Sequence, residues 1–399
     1  MEIHPDIRRI PYGDRKRIQD AAEGREDLVN LASGNPDLPM PPFIRDRLKA
    51  GFDAGRAPYT NYYGLPELRR RLALSLKEER NITADPEKDL LITHGVQEGL
   101  YVVMKSVILP GDEILIPSPH YAEYYLNAVA CGGIPVLVPL DEGNGFVPEL
   151  DRMERAVTPK TRALVFCNPN NPLGVVWSRQ VLEGIADLAH RHDLVVLVDE
   201  IYRDFTYTEP PPSIITMPGM KERTFVFGGF SKSYMMMGLR VGYVVGPAEA
   251  MFPIKNLHYC VTLCPSSPGQ IAALAALDCP KDQLQPIYKE FEERLEILYR
   301  GVKAIPGVSC VEPKGSFYIF PNMKCFGLGS MDLALRLIEE ARVVTLPGTE
   351  FGPYGEGYLR LSTCASREEI EKGVGRLREF AETFLTRKEG EERNATRCR

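Results

Sequence analysis

The chain has 399 residues, 44% hydrophobic and 26% charged, the makeup of a soluble globular protein large enough for two domains or one large domain with an appendage. Its net charge of −6, with both signs interspersed, offers no basic face for nucleic acid or anionic lipid. No apolar run approaches the roughly 18 residues of a membrane span, Met1–Pro5 shows no secretion-signal core, and nine scattered cysteines without zinc spacing read as reduced thiols, so the expectation is a cytoplasmic protein with no metal site.

In chain order, Leu31–Pro39 is rich in proline and glycine and reads as an extended, fixed loop. Helical patterns follow at Pro66–Glu79 and Gln97–Leu109. The chain then places short β-branched or apolar runs at Asp89–Thr93, Glu113–Ile116, Pro135–Val138, Arg162–Phe166, Leu194–Val198, Thr224–Phe227 and Arg240–Val245. Helix-length segments such as Arg179–Arg191 separate most of them. Near-continuous apolar strands with helical crossovers predict a mostly parallel, seven-stranded sheet covered on both faces, an α/β fold. A long amphipathic helix, Pro286–Ala304, leads to a second unit with strands Phe317–Phe320 and Tyr358–Ser362 and helices Asp332–Ala341 and Arg367–Arg387. The expected division is a large domain, 48–285, and a smaller α+β domain, 1–47 with 286–387. Residues 388–399 carry almost nothing apolar and are expected to be a disordered tail.

Ligands of a parallel sheet sit at the carboxyl ends of its strands, and the chemically suggestive residues follow those ends. Lys232 comes just after a strand, Gly228, Gly229 and Ser231, with Arg240 eight positions on. A lysine held off water beside other cations loses proton affinity and becomes a nucleophile toward carbonyls. Gly95, Val96 and Gln97 open a helix directly after a strand, where free N–H groups and the helix dipole bind phosphate. Tyr121 follows another strand end, placed to stack on a planar ring, whereas the adjacent His120 reads as a turn residue. Asn171 lies in Asn168-Pro169-Asn170-Asn171-Pro172, a rigid turn whose amide can donate to a phenolate oxygen. Asp199 ends an apolar strand, and burying that anion calls for a cation such as a protonated pyridine nitrogen. Arg360, on Tyr358–Ser362, has the fork that matches a carboxylate. No Gly-x-Gly-x-x-Gly opens a helix, which argues against a dinucleotide enzyme.

Taken in order, these segments resemble the class I/II aminotransferases, the fold-type I pyridoxal-phosphate enzymes typified by aspartate aminotransferase. The likeness spans Leu31 to Ser362: Ser231-Lys232 followed by Gly238-Leu239-Arg240-Val241-Gly242-Tyr243, the double Asn-Pro turn, Asp199-Glu200-Ile201-Tyr202, and Arg360-Leu361-Ser362. The resemblance implies that Lys232 carries pyridoxal 5'-phosphate as a Schiff base and moves protons. It implies that Asp199 pairs with the ring nitrogen, Asn171 and Tyr202 with the ring oxygen, and Tyr121 with the ring face. Gly95–Gln97, Ser231 and Arg240 would hold the phosphate, joined by Tyr59 of a neighbouring subunit. Arg360 and Asn171 would bind the substrate, with Gly34 in the loop that closes over it. The implied activity is ping-pong transfer of an amino group from an L-amino acid to a 2-oxo acid, in a homodimer with shared active sites.

The sequence departs from the family in three places. Gly229 replaces a frequent phosphate-contacting hydroxyl residue, Leu173 replaces another hydroxyl residue, and Gln97 stands where some aspartate-using relatives carry lysine. No arginine for a distal carboxylate is evident near Tyr259–Thr262, and Tyr62, Tyr63 and Tyr259 suggest an uncharged or aromatic pocket. The alternatives on the same fold are a β-elimination lyase or a synthase; a non-catalytic regulatory pyridoxal-phosphate module is the remaining one.

Overall fold

The computed structural model describes residues 5–8, 10, 13–55 and 58–397. Its strands in chain order begin with β1 (Val29–Asn30), β2 (Leu90–Thr93), β3 (Glu113–Ser118), β4 (Ile134–Pro139) and β5 (Thr161–Cys167). They continue through β6 (Val195–Asp199), β7 (Thr224–Gly229), β8 (Gly242–Val245), β9 (Tyr318–Ile319), β10 (Val343–Val344), β11 (Leu346–Pro347) and β12 (Leu359–Ser362). The seven apolar runs form one seven-stranded sheet of order β2–β8–β7–β6–β5–β3–β4. The pairs β3–β4, β3–β5, β5–β6 and β6–β7 are parallel, and β8 is antiparallel to both its neighbours.

Period-two alternation divides the central strands between the two faces of that sheet. Leu164, Phe166, Val196 and Val198 join one buried cluster, and Ala163, Val165, Cys167 and Leu197 join the other. Both faces are dry, so the strands can be continuously apolar. The arrangement brings the carboxyl ends of β3, β5, β6 and β7 to one edge. Because β8 runs the other way, its amino end reaches that same edge, with Gly242 opposite both Thr93 and Gly229. The segment 229–242, holding Lys232 and Arg240, thus leaves and re-enters the sheet at the functional edge.

The C-terminal unit has a small antiparallel sheet, β11–β12–β9, and β1 pairs in parallel with β10. That pairing, and the bond from Ser362 N–H to the Leu31 carbonyl at 2.8 Å, lays the N-terminal segment against the strand bearing Arg360.

Four element boundaries differ from expectation. The long helix runs Lys281–Lys303, taking Pro286 inside its second turn. The helix at the phosphate-type junction begins at Gly95, two residues before Gln97. The expected helix over 332–341 is an α-helix, Ser330–Arg336, that widens into a π-turn, Leu337–Ala341. The last helix extends over Arg367–Arg397, through the stretch expected as a tail, whose Lys, Arg and Glu residues are good helix formers. Among the described residues no helix is long and apolar enough to cross a membrane, and no group of three or more His, Cys, Asp or Glu could hold a metal ion.

Candidate active site

At the functional edge a cavity of about 940 Å3 opens between the large sheet and the C-terminal unit. It is lined by Gly34, Val96, Gln97, Tyr121, Asn171, Asp199, Tyr202, Ser231, Lys232, Arg240 and Arg360 among others, so most of the residues singled out in the sequence converge there. A cavity of that size accommodates a cofactor together with a small substrate.

Lys232 reaches into the cavity from the loop after β7, and its Nζ donates to the Gly34 carbonyl at 2.7 Å. Burial, reinforced by the cations Arg360, Arg240 and Arg15, brings its pKa down to about 8. An appreciable fraction of the amine is then neutral near physiological pH, which a nucleophile or proton carrier needs.

Asp199, at the end of β6, is 3% exposed. Burial pushes its pKa up to about 6, against the stabilising hydrogen bonds from Ile201 N–H and Tyr124 O–H, each 3.0 Å. Those two donors orient the carboxyl without neutralising it. Across the floor, Asn171 Nδ2 donates to the Tyr202 hydroxyl at 3.3 Å, and the Tyr202 and Tyr318 hydroxyls lie 3.2 Å apart. Arg360, 2% exposed on β12, donates to Asn171 Oδ1 at 3.2 Å and to the Ala32 carbonyl at 2.6 Å. Its guanidinium lies over the Tyr318 ring, 4.3 Å from the centroid, and its buried Nε has no hydrogen-bond partner.

The other side of the cavity is shaped by close backbone approach. Gly95 has φ +77°, and a Cβ there would come within 2.9 Å of Arg240 Nη2. A Cβ on Gly242 would lie 2.7 Å from the Gly95 carbonyl carbon. Arg240 itself is left-handed, φ 53°, and is braced by its Nη1 bond to the Met237 carbonyl at 3.1 Å. The departure at Gly229 has a steric reason: a Cβ there would sit 3.1 Å from Ile201 Cδ1 and 3.2 Å from the Val241 carbonyl oxygen. His120 is buried, its Nδ1 3.0 Å from Ser118 Oγ, and burial lowers its pKa to about 3, consistent with a turn residue rather than a base.

The donor set fits pyridoxal 5'-phosphate. The site pairs a buried acid held by neutral donors, a lysine of depressed pKa and an aromatic ring at the cavity wall. A glycine-shaped cradle carries Arg240, and an arginine with an unused buried N–H completes the set. Three expected contributors stand apart. Tyr59 does not line the cavity and is 82% exposed, and Tyr62 and Tyr259 stack edge-on at 4.6 Å outside it, so neither forms a pocket wall in this chain. Sequence reasoning missed Tyr124, Tyr318 and Arg15. The hydroxyls of Tyr124 and Tyr318, set in apolar runs, were the available signal for the first two; Arg15 sits in a mixed-charge stretch that carries none.

Fold and cavity together are those of a fold-type I pyridoxal-phosphate enzyme. Residues 26–377 match the family model for aminotransferase class I and II. The chain is 36% identical over 380 residues to an aromatic-amino-acid aminotransferase of Thermococcus litoralis, covering 94% of this chain and 97% of that one. It is also 36% identical over 365 residues to an aspartate aminotransferase of Pyrococcus abyssi, covering 91% and 94%. The crystal structure of the aromatic aminotransferase from Pyrococcus horikoshii OT3 superposes with a TM-score of 0.88 at 34% identity, over 92% of this chain and 100% of that one. The chain belongs to the class I and II aminotransferases, a pyridoxal-phosphate-dependent transaminase. These relatives give no support to the lyase or synthase alternatives.

Proposed function

We propose that this aminotransferase uses Lys232 as the residue that holds the cofactor and moves the substrate proton, with Arg360 fixing the substrate's α-carboxylate. The observation that carries the reading is the meeting of Lys232, Asp199 and Arg360 in one cavity, from segments far apart in sequence. Pyridoxal phosphate supplies, when bound, a carbonyl for amine exchange and a ring that withdraws electrons from the substrate Cα. Asp199 would face its ring nitrogen, where a cation offsets the cost of the buried carboxylate. Asn171 and Tyr202 would donate to the ring oxygen, and Tyr121 would cover the ring. The amides of Gly95, Val96 and Gln97, with Ser231 and Arg240, would hold the phosphate.

Arg360 receives the substrate carboxylate through a guanidinium already aligned by Asn171 Oδ1 and the Ala32 carbonyl. That contact places Cα near Lys232, and the neutral Nζ takes up the proton that leaves it. Gly34 accepts from Nζ in the meantime and so holds the amine within the cavity. The exposed Tyr59 supports a homodimer in which this residue completes the phosphate site of the second subunit. The cytoplasm fits the reduced thiols: Cys131, Cys167, Cys260, Cys264, Cys279, Cys310 and Cys364 are not in disulfides.

The test is an absorption spectrum of the purified protein titrated with single L-amino acids in the absence of 2-oxo acid. The expected result is a visible cofactor band that bleaches with productive donors. A protein that takes up no pyridoxal phosphate defeats the reading, and so does a Lys232→Ala variant with undiminished half-reaction.

A further inference from the structure

Five cations line the catalytic cavity: Arg15, Lys16, Lys232, Arg240 and Arg360. On the reading above, Arg240 serves the phosphate, Arg360 the α-carboxylate and Lys232 the amine, while Lys16 is paired with Asp20. Arg15 is left without a task. It lies in the first turn of the helix Asp14–Ala22, which is fastened by Thr349 Oγ1 donating to Asp14 Oδ2 and by Arg15 N–H donating to Glu350 Oε2, 2.5 and 3.0 Å.

The Arg15 side chain is 39% exposed, yet its Nε is shut off from solvent and has no hydrogen-bond partner. The Glu350 Oε1 atom, at 3.4 Å from Nε, gives an ion pair without a hydrogen bond. Glu123 is the second carboxyl nearby; burial raises its pKa, and its Oε2 is also unpartnered. Burial lowers the Arg15 pKa, but Glu123 and Glu350, followed by the Tyr121 and Tyr318 hydroxyls, outweigh it and raise the net value. Arg15 is also close enough to depress the Lys232 pKa. Arg15 lines the cavity together with Tyr121, Tyr318 and Lys232, beside the space a substrate side chain would occupy. The guanidinium fork of an arginine that lines a cavity is matched by a carboxylate.

We infer that Arg15 binds a carboxylate on the substrate side chain, making this enzyme selective for dicarboxylic amino acids and their 2-oxo acids. The inference rests on the aminotransferase reading of the cavity and supplies the side-chain cation that the region around Tyr259 lacks. Glu350 holds the helix through the Arg15 backbone and restrains the guanidinium when the substrate lacks a second carboxylate.

The test compares acid with neutral amide of the same shape on the holoenzyme: glutamate against glutamine and aspartate against asparagine, as kcat/KM for the half-reaction. Binding of glutarate and butyrate, followed by the cofactor spectrum, gives a readout independent of turnover. The wild type is expected to favour the acids and to bind glutarate over butyrate. Arg15→Gln is expected to lower the acid-to-amide ratio about 30-fold, the scale of one charged hydrogen-bonded pair, with Arg15→Lys between them. An acid-to-amide ratio near one in the wild type, or one unchanged within twofold in Arg15→Gln, overturns the inference while leaving the transaminase reading intact. Absence of any half-reaction with every amino acid overturns that reading itself, and the inference with it.

Discussion

Lys232 and Gly34, 198 positions apart, meet through a 2.7 Å hydrogen bond from the lysine amine to the loop carbonyl. The amine is thereby tied to the segment proposed to close over the substrate, and a Cβ on Gly34 would lie only 2.7 Å from the Tyr318 hydroxyl oxygen. Lys232→Ala is expected to slow the half-reaction by at least about 10³-fold, the scale of lost general acid–base catalysis, and to abolish borohydride fixation of the cofactor to the protein. Gly34→Val is expected to raise KM through the crowded Tyr318 while borohydride fixation persists. Mass spectrometry of the reduced protein separates the two.

The buried acid makes a prediction about stability as well as activity. Asp199 has an ordinary pKa of 3.8 and a folded value of about 6 in the cofactor-free protein, raised chiefly by burial. The folded state therefore binds more protons than the unfolded one between those values, so stability falls as pH rises from about 4 to 6. Above that window the cost is on the order of 3 kcal/mol. Asp199→Asn is expected to stabilise the cofactor-free protein at pH 7.5 and to flatten this part of its pH dependence. The same change is expected to lower transamination about 10²- to 10³-fold. Urea unfolding of both proteins at pH 4.5, 5.5 and 7.5 reads the first effect; equal stabilities at pH 7.5 would count against a desolvated carboxyl.

The phosphate side depends on glycine rather than on charge alone. Gly242 begins β8 opposite Thr93 and Gly229, and any Cβ on it collides with Gly95 and the Val96 amide nitrogen, 2.7 and 2.8 Å away. Gly242→Ala must push the helix N-terminus off the sheet edge, at a cost of about 1–3 kcal/mol. The cofactor's dissociation constant is expected to rise at least about tenfold, because the displaced amides are the proposed phosphate ligands. Dialysis against a cofactor-free buffer, with the residual visible band as readout, checks it.

Much of this architecture was legible because it depends on local pattern. The β-branched runs located all seven strands of the large sheet, and Asp199 stood out as a charge closing an apolar run. The carboxyl-end rule then put Lys232, Asn171 and Tyr121 together without any knowledge of strand order. What escaped depends on tertiary approach. Tyr124 reveals its role only when β3 and β6 bring its hydroxyl 3.0 Å from Asp199. Arg15 reaches the cavity only because Asp14 and Glu350 fasten its helix there, and no spacing in residues 13–17 encodes that. A proline at a helix start is a good guide at Pro66, where the helix does begin, but not at Pro286, which lies inside Lys281–Lys303 because a helix with a buried face tolerates one lost hydrogen bond.

Behind Asp199 the structure carries a second buried charge that needs its partner. Glu200 is 3% exposed, its Oε2 lacks a hydrogen bond, and the Arg80 guanidinium stands 3.8 Å away. Arg80 also donates to the Tyr243 hydroxyl at 3.2 Å and lies 3.7 Å from Asp204. Removing the arginine leaves a carboxylate stranded beside Asp199, whose pKa Glu200 already helps to raise. Arg80→Leu is expected to destabilise the protein by about 3–5 kcal/mol. Adding Glu200→Gln should restore much of that loss, because the stranded charge goes with it. A double-mutant cycle of urea midpoints decides the matter: additive losses would mean that the pair is not coupled.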